Sequence, residues 1–132
     1  MKHKLLRHFN TSIVMNPDAP EAEHETIGLR FVRFTASQAL AYSHEVQVLH
    51  DQLEDEENSN AVKEIYKLNL DLLADQCRGI SNLEDEDGNP IELPDDRKDR
   101  IELFDALGTQ FIIAAVNAFS AGANPTKDAE KK

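Results

Sequence analysis

CRGISNLEDEDGNPIELP, residues 77–94, decides how the rest of the chain is arranged. Gly79 is suited to closing a helix, Ile80 and Leu83 lead into an acidic turn at Asp87-Gly88, and Ile91 and Leu93 lead out of it. Asp-Gly tolerates the positive backbone dihedrals of a tight turn, and apolar residues on both arms can press onto flanking helices. The stretch therefore predicts a short acidic β-hairpin between helices. A calcium loop is the competing reading, and ligand spacing excludes it. With Gly88 as the sixth-position glycine, positions one and twelve become Leu83 and Pro94, neither of which carries a side-chain oxygen.

Upstream, residues 8–34 read as an N-terminal β-hairpin. Ile13, Val14 and Met15 are β-prone, and Ile27, Leu29 and Phe31 alternate with Gly28, Arg30 and Val32 as a half-buried strand requires. Between them, Pro17 and Pro20 lack amide donors, so residues 16–21 are expected to form a long acidic loop. Thr35 and Gln38 then form a capping box, opening a helix predicted over 35–57. Ala39, Tyr42, Val46, Leu49 and Leu53 draw a narrow seam along it, which suits packing inside the domain or a helix of another chain. Its acidic end, residues 51–57, sits at the unfavourable pole of the helix dipole and is expected to be solvated.

A second helix, antiparallel to the first, is expected over 61–78. Val62, Ile65, Tyr66, Leu70, Leu73 and Cys77 share a broad core face, with Leu72 at its edge and Asn69 in its middle. A buried asparagine needs partners, and a neighbouring turn is the expected one. After the hairpin, Pro94-Asp95-Asp96 predicts the start of one long C-terminal helix over 94–121, with acidic residues at the favourable pole and Gly122 and Pro125 beyond its end. Ile101, Phe104, Phe111, Ile112, Ala115 and Phe119 form its core stripe. Leu103, Leu107, Ala114 and Ala118 form a second stripe and Ile113 points to a third side. A helix apolar on several sides is buried on several sides, by its own domain or by another chain. The fold class is thus α+β and mainly helical, a single domain over 1–122 followed by a short disordered tail over 123–132.

The chain has 132 residues, enough for one core, and 25 acidic against 14 basic residues give a net charge of −11. Such a surface repels phosphate backbones and anionic lipid, so neither nucleic acid nor a membrane is an expected partner. The lone Cys77 excludes an internal disulfide framework, and no apolar run reaches spanning length, pointing to the cytosol. Cys77 reads as a small buried hydrophobe. His24 and His44 each precede a glutamate, but the residues four further on are Gly28 and Val48, so no zinc-protease pair forms, and the histidines read as surface residues. With no phosphate loop, nucleophile elbow or dinucleotide fingerprint, the expectation is a non-enzymatic protein without metal or cofactor.

Several of these features together resemble a family. Cys77-Arg78-Gly79-Ile80, Leu83, Asp85, Asp87-Gly88-Asn89-Pro90-Ile91, the small-residue-rich helix ending in Asn117-Ala118-Phe119-Ser120, and the strand-to-helix run Leu29-Arg30-Phe31-Val32-Arg33-Phe34-Thr35-Ala36 resemble the tail assembly chaperones of long-tailed, lambda-like bacteriophages. The resemblance implies a protein of the host cytoplasm that binds the sticky, helical tape measure protein while the tail tube assembles and is absent from the mature virion. It also implies, for many members, a frameshifted extended product that recruits the tail tube protein. An apolar surface on an acidic body fits such work, and self-association into a homo-oligomer would use a surface of the same kind. The candidate surface is Leu103, Leu107, Ile113, Ala114 and Ala118, with Tyr42, Val46 and Leu49 as second choice. A structural head–tail adaptor or minor tail component, and an acidic DNA mimic, are the alternative readings. The mimic requires carboxylates in two parallel rows, whereas these cluster at 51–57, 84–87 and 95–96.

Overall fold

The computed structural model describes residues 7–54 and 60–122. Strand β1 (His8–Val14) pairs antiparallel with β2 (Thr26–Val32), placing Phe9 opposite Phe31 and Ile13 opposite Ile27. The alternation in β2 does what period two dictates: Ile27, Leu29 and Phe31 are buried while Arg30 is exposed. The connecting loop is folded on Asn16, whose side chain donates to the Glu23 carbonyl and accepts from the Glu25 amide. His24 is half-buried and donates from Nε2 to the Ala19 carbonyl at 2.9 Å, so this histidine secures the loop rather than decorating the surface.

Helix α1 (Ala36–Leu53) begins at the predicted capping box, with Thr35 Oγ1 accepting from the Gln38 amide and Gln38 Oε1 from the Thr35 amide. Of the predicted acidic end, residues 51–54 are exposed and α1 stops at Leu53, while residues 55–57 lie outside the described residues, as does the tail at 123–132. Helix α2 (Asn60–Gln76) is the core helix, burying Leu70, Leu72, Leu73 and Ala74. At its start Ala61 takes the inward position, which leaves Val62, expected on the core face, 62% exposed.

Gly79 does not stop this helix. Helix α2 ends at Gln76, and the chain passes directly into β3 (Cys77–Ser81), which pairs antiparallel with β2 and completes a sheet of order β1-β2-β3. The arm 77–81 therefore bonds to β2 rather than to the returning arm of its own hairpin. The acidic hairpin survives as a shorter unit: the Ile91 amide donates to the Leu83 carbonyl at 2.7 Å and the Asp85 amide to the Asn89 carbonyl at 2.9 Å. Gly88 adopts the positive φ of +84° that its place in the turn demands. The Asp85 carboxylate accepts from the Asp87 and Asn89 amides, and these backbone donors hold its pKa below the ordinary value.

The single long C-terminal helix is instead two, α3 (Arg97–Leu107) and α4 (Thr109–Gly122), meeting at 115°. Asp96 caps α3, accepting from the Lys98 amide at 2.8 Å. The break is Gly108, whose φ of +98° no L side chain adopts without strain, and whose carbonyl accepts the Ile112 amide to start α4. Phe104 and Phe111 stack across the corner at 6.1 Å, so both arms press into one core. Phe31, Phe34 and Phe9 gather around Phe119 of α4 with ring centroids 5.0–5.9 Å apart. Each fully buried phenylalanine contributes about 1.5–3 kcal/mol of transfer free energy, so this cluster is the main anchor of the sheet on α4. The fold is α+β and mainly helical. No single helix among the described residues is long and apolar enough to cross a membrane.

Candidate protein-binding surface

Breaking the last helix disperses the first-choice stripe. Leu103 and Leu107 lie on α3, Ile113, Ala114 and Ala118 on α4, and the corner at Gly108 aims the two sets in different directions. Leu107, Ala114 and Ala118 are half-buried against the domain's own core. Leu103 is half-buried, and Ile113 is 52% exposed. What looked like spare apolar surface on one straight rod is for the most part the extra burial that a bent pair of helices needs.

The second choice fares differently. Helix α1 has 18 residues and none is buried. It lies antiparallel on α2, with Gln38 and Tyr42 near Leu72 and Gln76, and Val48 and Leu49 near Glu64 and Leu68. Tyr42, Val46 and Leu49 are the half-buried positions of the predicted seam, while Leu40 and Val48 remain 73% and 41% exposed. The Tyr42 hydroxyl donates to Asn69 Oδ1 at 3.4 Å, so the asparagine on the core helix is matched by a helix rather than by a turn. Burial also raises the Tyr42 pKa above its ordinary value.

A cleft follows this helix pair. One section, of 460 Å³, is bounded by Val48 and Leu49 of α1 and Glu64, Lys67 and Leu68 of α2. A second, of 330 Å³, is bounded by Phe34, Ala41, Tyr42 and Leu72. Glu45, Leu68 and Asp71 border both, which makes the two sections one channel. The periodicity explains the continuity. Positions 38, 41, 42, 45, 48 and 49 fall on one face of α1, and positions 64, 67, 68, 71, 72 and 75 on one face of α2. The floor is apolar and the rim is charged. Leu68 lies beyond the predicted core face; the signal for it was its spacing of four from Leu72, at the edge of that face.

Arg97, at the start of α3, closes one end of the channel, donating to Asp75 at 2.7 Å and Asp71 at 3.0 Å. This bracing ties α2 to α3 and holds the guanidinium pKa above its already high value. Arg100 adds a second tie, bonding the Ala74 carbonyl near the C-terminal end of α2, where a cation suits the helix dipole. Elsewhere the titratable groups serve the fold. The Cys77 thiol is fully buried and desolvation pushes it up to about 11, far from the thiolate that chemistry would need. Gln76, also buried, donates to the Val32 carbonyl at 2.9 Å. Among the described residues no three histidine, cysteine or carboxylate side chains gather as a metal site. Compared with protein-family models, with curated proteins and with solved structures, the chain matches none.

Proposed function

We propose that this chain is a tail assembly chaperone of a long-tailed bacteriophage or prophage, which covers apolar helical segments of the tape measure protein and keeps them in solution until the tail tube encloses them. The reading starts from the residues that resemble that family. The observation that carries it furthest is α1, an 18-residue helix with no buried residue that leaves Leu40, Val48 and Leu53 exposed, Val48 bordering a partly apolar cleft. An element that a domain holds without enclosing is what helix-in-groove recognition uses. The net charge of −11 supplies the rest, since a strongly charged carrier keeps an apolar cargo from aggregating. Self-association into a homo-oligomer, and delivery to the tail tube protein through an extended product, belong to the same proposal. The DNA-mimic alternative loses support from Asp71, Asp75 and Asp85, whose carboxylates are engaged by Arg97 and by turn amides.

Co-expression with a tape measure protein tests the proposal. The tape measure is expected to move from the insoluble to the soluble fraction and to co-purify with the chain, while purified particles lack the chain by mass spectrometry. A tape measure equally insoluble with and without the chain would refute the chaperone reading. A stoichiometric presence in finished particles would replace it with the structural adaptor.

A further inference from the structure

From the charge around the α1–α2 cleft we infer that its occupant is a basic amphipathic helix, apolar along one side and flanked by lysine or arginine. This deepens the chaperone proposal and rests on it for the identity of the cargo, not for the chemistry of the cleft. The channel follows α1 from Gln38 to Leu49, about 17 Å at 1.5 Å per residue, the length of about three helical turns. Val48, Leu49, Leu68 and Tyr42 line its apolar floor, and such a floor takes side chains at helical spacing. Its rim carries Glu45, Glu64, Asp71 and Asp75 against Lys67 and Arg97, with His44 beside Glu45.

Pairing leaves that excess in place. Arg97 is already committed to Asp71 and Asp75, while Glu45 and Glu64, on opposite walls, make no ion pair among the described residues. A net-acidic rim with one such carboxylate on each wall of an apolar floor favours a ligand that places a cation on each flank. A second copy of this chain is a poor occupant by the same criterion, because it would bring the same acidic rim and its own net charge of −11 against this one. A basic helix is attracted at long range and buries its apolar side on contact.

The test uses the full chain and two labelled helical peptides of about three turns, with leucines at i, i+3, i+4 and i+7 and either lysines or glutamates flanking them. Fluorescence anisotropy is expected to show the lysine peptide binding at least about tenfold more tightly, a preference that shrinks as salt rises. The combined substitution Glu45→Lys and Glu64→Lys reverses the preference, and Val48→Asp removes binding of both peptides, each variant melting like the parent chain. Equal affinity for the two peptides, or indifference to the charge reversal, overturns the inference. So does a dimer in sedimentation equilibrium that Val48→Asp dissociates, since the occupant is then a second copy. If the tape measure is solubilised but the lysine peptide neither binds nor competes, the cleft assignment alone falls. If the peptide binds as expected but the tape measure stays insoluble, the chaperone reading alone falls.

Discussion

Strand β2 and helix α1 are neighbours in the chain, with only Arg33, Phe34 and Thr35 between them, yet the fold treats them in opposite ways. The strand has a partner on each edge and buries Ile27, Leu29 and Phe31 in the core, Phe31 against Phe119 of α4; the helix buries no residue and leans on α2. Both carry regular apolar spacing. Pattern alone therefore does not say whether an apolar face is core or contact surface; that depends on how many elements are left to cover it. Here the sheet, α2, α3 and α4 consume most of one another's apolar faces, and α1 is left leaning on α2.

Substitutions can break or sharpen this contrast. The largest effect is expected for Phe31→Ala, which removes a fully buried ring from the aromatic cluster and should cost about 3–5 kcal/mol in urea unfolding, a large part of the stability of a domain this size. Next is Gly108→Ala. The φ of +98° penalises any L side chain, so a loss of about 1–3 kcal/mol is expected although nothing lies within 4 Å of the added methyl. On the α1 side, Thr35→Ala removes the cap and should weaken the helix by about 1 kcal/mol. The contrast predicts that this loss appears as faster amide exchange within α1 while the exchange of β2 amides is unchanged.

The smallest effect concerns pH. Because the folded-state pKa of Asp85 lies below its ordinary value of 3.8, the turn's contribution to stability is present above that value and is lost as pH falls through the lower folded-state pKa. Thermal melts should show Asp85→Asn slightly less stable than the parent at neutral pH and the gap closing in strong acid. A gap that widens in acid would contradict the assigned hydrogen bonds.

What the sequence made legible was local. The Thr35–Gln38 box, the helix start at 94–96, the alternation of β2 and the turn at Gly88 each depend on residues a few positions apart, and each is present. Two features were not legible because their causes are distant. Residues 77–81 pair with β2, whose partner positions lie about fifty residues earlier, so turn chemistry near Gly79 could not reveal a strand. Gly108 sits between stretches that both favour helix, and a glycine inside such a run costs only about 1 kcal/mol if it stays helical. The bend it makes brings Phe104 and Phe111 into one core, a contact between residues of two helices that local pattern does not encode. The candidate surface follows the same rule. Tyr42, Val46 and Leu49 could be read from spacing along one helix, whereas the opposite wall, Leu68 with Glu64, is defined only once α2 lies beside α1.

The account stands on α1 being held at the surface of the domain rather than locked into its core. Hydrogen exchange of the free protein, resolved to single amides, tests this directly: α1 amides should exchange by local opening, far faster than those of Leu29 and Phe31, and become protected when a helical partner is added. If α1 amides in the free chain were as slow as those of β2, the helix would belong to the same cooperative unit as the core, and its apolar side would have no partner to wait for.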